Sequence, residues 1–174
     1  MRFVHDVPLI PLLFLVCVGV VQAESSLSQY RLSSGDLVNI RVFGEEELTL
    51  ETRLSDTGTI SYPLLGELRV VGKTTGQLES VLIRKLKNGY LVDPNVSVSV
   101  SEYRKFFVNG EVQDPGGFPY LPGLTVQKAV SFAGGFSERA SKRNIYILRE
   151  GDDDGKPAAV ALNCLVKPGD ILAI

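Results

Sequence analysis

Hydrophobic and polar positions alternate most strictly in Val96-Ser97-Val98-Ser99-Val100-Ser101, with valine on one side and serine on the other. A period of two marks a strand with one buried face. The same period runs through Leu37-Val38-Asn39-Ile40-Arg41-Val42-Phe43, where Val38, Ile40 and Val42 form the core face. Ser55-Asp56-Thr57-Gly58 predicts a turn ahead of Ile60-Ser61-Tyr62-Pro63 and the apolar stretch that follows. Pro63 lacks an amide donor and is expected at a strand edge or break. Over residues 74–87 the period lengthens to that of a helix, with Leu78, Val81, Leu82 and Leu86 on one stripe. Thr74 and Gln77 have the spacing of a capping box, and Asn88-Gly89 supplies a stop.

A boundary is expected near residues 102–105. Beyond it, Phe106-Phe107-Val108-Asn109-Gly110-Glu111-Val112 reads as two short strands around an Asn-Gly turn. Asp114-Pro115-Gly116-Gly117 predicts another turn before Phe118-Pro119-Tyr120. Thr125 is placed to cap a second helix with Val126, Ala129, Val130 and Ala133 on one face, closed by Gly134-Gly135. Ile145-Tyr146-Ile147-Leu148 and Val160-Ala161-Leu162 read as strands flanking a charged loop over residues 150–157. The order is strands, helix, strand, then strands, helix, strands. That order predicts two α+β modules and excludes a long doubly wound sheet. Gly35-Asp36 and Gly169-Asp170 each feed an apolar strand, and both read as turn-forming strand starters.

The amino terminus changes the picture. Arg2 precedes 13 uncharged residues from Leu9 to Val21, and Val21-Gln22-Ala23 then places small side chains one and three residues ahead of Glu24. This is the pattern of a secretory signal peptide over residues 1–23, cut between Ala23 and Glu24, with residues 24–29 as a polar tether. A helical membrane anchor needs ~20 apolar residues, more than this run holds. Lipidation at Cys17 is the competing reading, but Val16 stands where lipoprotein signals carry a small residue.

Composition then narrows the chemistry. The chain has 174 residues, 22% charged and 44% hydrophobic, with formal net charge −2, and its basic residues form no large cluster. Nucleic acid is therefore excluded as a partner. Past Ala23 the sequence holds no histidine and a single cysteine, Cys164. Ser-His-Asp and Cys-His catalysis, zinc sites built from Cys and His, and an internal disulfide lack their residues. Asp152-Asp153-Asp154 and Glu45-Glu46-Glu47 read as solvated acidic bends, and no phosphate-binding glycine loop occurs. No catalytic, metal or cofactor site is expected.

The order of landmarks resembles a known family. Tyr30-Arg31-Leu32-Ser33-Ser34-Gly35-Asp36, Asp56-Thr57-Gly58-Thr59-Ile60, Pro63-Leu64-Leu65-Gly66, Val71-Gly72-Lys73-Thr74 and Tyr90-Leu91-Val92-Asp93-Pro94-Asn95-Val96 resemble the polysaccharide biosynthesis/export domain. Asn109-Gly110-Glu111-Val112, Pro115-Gly116, Ala133-Gly134-Gly135 and Pro168-Gly169-Asp170 resemble the soluble-ligand-binding β-grasp (SLBB) domain that follows it. The resemblance implies an export domain over residues 30–102 and an SLBB domain over 103–174, of the Wza-like type.

By that resemblance the chain is a non-enzymatic, periplasmic or outer-membrane-associated homo-oligomer that conducts an exported polysaccharide. An inner-membrane polysaccharide co-polymerase is its implied partner. The large members carry further β-grasp modules and an amphipathic C-terminal helix, which this sequence does not show before Ile174. The departure implies a collar or adaptor working with a separate outer-membrane channel. Two other readings stand beside it. One is a monomeric carbohydrate-binding module using aromatics such as Tyr62, Phe118 or Tyr120, and the other is a glycan-acting enzyme. Polymer-contacting residues are not identified by the resemblance.

Overall fold

The computed structural model describes residues 30–149 and 155–174; the expected signal peptide with Ala23 and Glu24, the Cys17 lipidation reading and Asp152 to Asp154 fall outside them. The α+β expectation holds. Two buried hydrophobic clusters form, one spanning Leu32 to Val98 and the other Phe106 to Leu172.

The first cluster is organised by a three-stranded antiparallel sheet of β1 (Leu37–Val42), β2 (Leu50–Arg53) and β5 (Val96–Glu102), in the order β2-β1-β5. Val38, Ile40 and Val42 stand opposite Val100, Val98 and Val96. The two alternating patterns thus meet in phase, and a slip of one residue would turn both apolar rows to solvent. Between them in sequence lie the hairpin β3 (Thr59–Tyr62) and β4 (Gly66–Arg69), whose turn holds Pro63, and helix α1 (Thr75–Lys87).

The capping box is present: Gln77 N donates to Thr74 Oγ1 at 3.2 Å, and Thr74 N donates to Gln77 Oε1 at 3.0 Å. Leu78, Leu82 and Leu86 are fully buried, but Val81 is only half-buried, and Ile83 packs on the core instead. Val81 and Ile83 each lie about 100° round the helix from Leu82, so both sit on the margin of the stripe. Glu79 has a different task. Its Oε1 accepts from Val98 N at 2.8 Å, satisfying a donor on the free edge of β5.

The second cluster is enclosed by β6 (Phe106–Asn109), β7 (Gly116–Phe118), β8 (Tyr146–Leu148), β9 (Ala158–Ala159) and β10 (Ile171–Ala173), ordered β7-β6-β10-β8-β9. The first and last of these, β6 and β10, run parallel side by side, and the other pairs are antiparallel. Helix α2 (Val126–Phe132) buries Val126, Ala129 and Val130 as expected, and Thr125 Oγ1 accepts from Lys128 N.

Two expectations are corrected here. Asn109-Gly110 is not a two-residue hairpin. Gly110 has φ +91°, and a Cβ there would lie 2.3 Å from Ile174 O, so glycine serves a close backbone passage past the end of β10. Glu111 N donates to that same carbonyl at 3.0 Å, and the return strand is β7. The segment 160–162 is likewise not a strand; β9 ends before it. Leu162 O and Cys164 O accept from Gln127 N and Val126 N, each at 2.9 Å. These are first-turn amides of α2 that no carbonyl within the helix can reach, and satisfying them draws the chain off the sheet.

The in-phase register generates a test. Val98 is 6% exposed and faces Ile40, so Val98→Asp buries an unpaired carboxylate. A loss of several kcal/mol is expected, enough to unfold the first module. Ser97→Asp, on the opposite face, should leave it intact. Urea unfolding followed by circular dichroism reads both, and a fully stable Val98→Asp protein would show the register to be wrong.

Candidate functional site

The two Gly-Asp turns are built alike. Gly35 and Gly169 have φ +89° and +87°. Asp36 N donates to Ser33 O and Asp170 N to Lys167 O, each at 3.2 Å. In return Asp36 Oδ2 accepts from Ser33 N at 2.8 Å, and Asp170 Oδ2 from Lys167 N at 2.7 Å. Both aspartates are buried, at 0% and 2% exposure, so the strand-starter reading holds in both modules.

The turns also grip the connecting segment. Asp36 Oδ1 accepts from Arg104 N at 3.0 Å, and its Oδ2 takes a further hydrogen bond from the Tyr30 hydroxyl at 2.7 Å. From the other side, Gly169 N donates to Lys105 O at 3.1 Å, and Phe107 N donates to Asp170 O at 2.9 Å. The Tyr103 ring stands edge-on to Tyr30 at 5.0 Å and to Tyr120 at 5.4 Å. Three tyrosines, the Asp36 carboxylate and the backbone of the Gly169-Asp170 turn therefore join the modules through residues 103–105.

Burial sets the electrostatics of this joint. It pushes the Tyr30 phenol far above the ordinary tyrosine range, helped by the hydrogen bond to Asp36. Tyr103 and Tyr120 rise for the same first reason, with the charge of Asp36 adding to the rise of Tyr103. Neutral phenols at every physiological pH act as hydrogen-bond donors and packing surfaces here, not as bases. Burial also raises the Asp170 carboxyl, against the opposing pull of the Lys167 amide and of Arg149, whose Nε lies 3.9 Å away.

The three aromatics proposed for sugar stacking are not exposed platforms. Tyr62 is 2% exposed and donates its hydroxyl to Leu48 O at 2.7 Å. Phe118 packs half-buried against Phe106 at 5.8 Å, and Tyr120 belongs to the joint. Among the described residues, the exposed aromatics are Phe43, Tyr90, Phe107, Phe132 and Tyr146. Phe107 and Tyr146 carried a signal in the sequence, since they interrupt the apolar-polar alternation of their strands.

Cys164 is half-buried, with Sγ 3.9 Å from Arg149 Nη2 and 3.7 Å from Leu165 O. Neither neighbour is a base able to take its proton. Glu45, Glu46 and Glu47 are exposed at a one-turn 3-10 helix. Among the described residues no group of three or more potential ligands gathers for a metal ion.

The joint gives two expectations. Asp36→Ala strips the acceptor from Tyr30, Ser33 and Arg104 at once, and should cost about 3 kcal/mol or more in urea unfolding. Asp170 titrates higher in the folded chain than in the unfolded one. Its contribution to stability is therefore complete below the unfolded carboxyl range and declines as pH rises through the raised value. The stability of the wild type relative to Asp170→Asn should fall over that acidic window and level off above it. A flat difference from acid to neutral pH would contradict the assignment.

Comparison with known proteins follows the two-module division. Residues 24–101 match the polysaccharide biosynthesis/export protein model, and residues 105–161 match the SLBB domain model. The chain is 38% identical over 121 residues to the exopolysaccharide production protein ExoF of Rhizobium meliloti, covering 62% of this chain and 28% of ExoF. It is 26% identical over 192 residues to the EPS I polysaccharide export outer membrane protein EpsA of Ralstonia nicotianae, covering 90% of this chain and 49% of EpsA. The polysialic acid transport protein KpsD of Escherichia coli is 28% identical over 123 residues, 69% of this chain and 22% of KpsD. The chain thus spans at most about half the length of these relatives. With an export domain followed directly by an SLBB domain, it belongs to the polysaccharide biosynthesis/export family as a Wza-like member.

Proposed function

We propose that this chain is an envelope component of an exopolysaccharide or capsule export apparatus, acting without catalysis as a repeated subunit of an oligomeric conduit or adaptor. The polymer is its substrate, and an inner-membrane co-polymerase and an outer-membrane channel are its partners. Residues 1–23 are the signal peptide, 24–29 a tether, 30–102 the export domain and 103–174 the SLBB domain. The parallel pairing of the first and last strands of the second module, with a helix between them, supports a β-grasp reading of that domain. Outer-membrane association is supported by the name of EpsA. No helix among the described residues is long and apolar enough to cross a membrane.

The observation that carries the reading is the buried joint. Subunits that close into a ring by heterologous contacts must each present two surfaces at a fixed angle. A flexible link between modules would spread that angle. Here the link is held by Asp36 on one side and the Gly169-Asp170 turn on the other, with Tyr103 between two further rings.

Native mass of the mature protein, alone and with its co-polymerase and channel, tests the assembly. A closed oligomer is expected with partners present, and deletion of the gene should trap polymer inside the envelope. A protein that stays monomeric with both partners, in a strain whose deletion still exports polymer, defeats the proposal and favours a monomeric carbohydrate-binding module. Amino-terminal sequencing should read from Glu24, and a lipidated Cys17 terminus would overturn the cleavage site. Cys164→Ser should leave export intact, because no base stands beside the thiol to take its proton; loss of export by a stable variant would reopen the question of chemistry.

A further inference from the structure

The two sheets differ in their outward faces. On the first, the residues facing away from the core include Asn39 and Arg41 of β1 and Ser97, Ser99 and Ser101 of β5, a polar surface with Phe43, just past the end of β1, as an exposed ring at its margin. On the second, strand register places Gly117, Phe107, Ile171 and Leu148 in one row and Asn109, Ala173, Tyr146 and Ala159 in the next. The opposite face of that sheet, with Phe106, Val108, Ile147 and Leu172, packs with α2 in the second core. Strands that are apolar on both faces read as covered on both. Yet Phe107 and Tyr146 are 44% and 42% exposed. An apolar surface of this kind marks a binding site.

Its size and shape decide what it binds. The two rows hold eight residues, against about 20–30 a side in a standard protein interface. The surface is flat: a Cβ on Gly117 would come within 2.8 Å of Phe107 Cε1, so that ring lies across a strand with no side chain beneath it. Ala173 and Ala159 add no relief. Strand spacing of ~4.8 Å, taken twice, and a two-residue offset of ~6.6 Å set the Phe107 and Tyr146 Cα atoms about 12 Å apart, a span that a short oligosaccharide bridges.

At the Tyr146 end the floor opens into a cleft of about 350 Å³, lined among others by Glu111, Arg139 and Asn144. Glu111 is already oriented by the Ser137 hydroxyl at 2.5 Å, and the Arg139 amide bonds that same hydroxyl at 3.3 Å. Flat rings meet the C–H face of a sugar, and planar polar groups at the rim meet its hydroxyls, which is the division of labour in a small-ligand site. Glu111 and Arg139 also offset one another in charge, so the cleft is not committed to an anion.

We propose that the outer face of the second sheet binds pyranose rings of the transported polysaccharide, with Phe107 and Tyr146 as stacking platforms and Glu111, Arg139 and Asn144 as hydroxyl partners. The inference rests on the export reading above. It adds the place where a subunit touches its polymer.

Short oligosaccharides cut from the producing strain's own exopolysaccharide are the probe, titrated into the mature protein by calorimetry and aromatic NMR. Signals of Phe107 and Tyr146 in the wild type should move on titration. Phe107→Ala and Tyr146→Ala should each weaken binding about tenfold, or ~1.4 kcal/mol, while Tyr146→Phe keeps the ring and the affinity. Absence of wild-type binding, unmoved signals, or unchanged affinity in folded alanine variants overturns the proposal. If Tyr146→Ala lowers native mass and leaves oligosaccharide affinity untouched, the face joins copies of the chain and the proposal is wrong. Polymer export by the deletion strain is scored separately. Normal export there defeats the export reading whatever the affinity, whereas blocked export with a wild type that ignores the oligosaccharides defeats the platform alone.

Discussion

The Asp36 carboxylate ties together two distant stretches of chain, residues 30–36 and the connector at Arg104. Placing a carboxylate out of water is costly unless its oxygens are hydrogen-bonded. Here they are met by Tyr30, Ser33 and Arg104, the last 68 residues away in sequence. Hydrogen bonds to a charged group contribute ~1.5–3 kcal/mol each, so three donors offset the desolvation. Remove them and β1 loses its start, while residue 104 loses its hold on the first module. The orientation of the second module then leans on the aromatic contacts and the Asp170 turn.

The repeated Gly-Asp device accounts for why two unlike cores share one joint. Each turn ends in a strand that crosses its own core, β1 in the first and β10 in the second. Each holds an aspartate whose side chain folds back on the turn, while the groups left over reach the connector from opposite sides. The half-buried tyrosines fill the space between with rings that stay neutral, which avoids a second negative charge beside Asp36.

Much of this was legible in the sequence where the deciding forces are local. The capping box at Thr74 and Gln77, the alternation of β1 and β5, the second helix and both Gly-Asp turns involve neighbours a few residues apart. Errors arose where a distant partner decided. Asn109-Gly110 carries the composition of a tight hairpin, but Ile174 O lies close behind Gly110 and claims the next amide. Val160-Ala161-Leu162 has strand composition, but the first-turn amides of α2 needed carbonyls. Tyr62, Phe118 and Tyr120 were plausible platforms by residue type alone, since exposure of a lone aromatic is not written in its flanks. Phe107 and Tyr146 were better marked, by strands that fail to alternate, although only the sheet register shows that they share a face.

Strand order also governs when each module is able to fold. The first completes its sheet with β5, so all its partners are present once residue 102 has been made. The second pairs β6 with β10, separated by most of its length, and its central parallel pair stays empty until residues 171–173 emerge. Closing so long a loop is slow and comes late. During synthesis the leading half can collapse while the trailing half remains an open chain. Its β6, bearing Phe106 and Phe107 and paired with no more than β7 until β10 arrives, is then the stretch most in need of a chaperone.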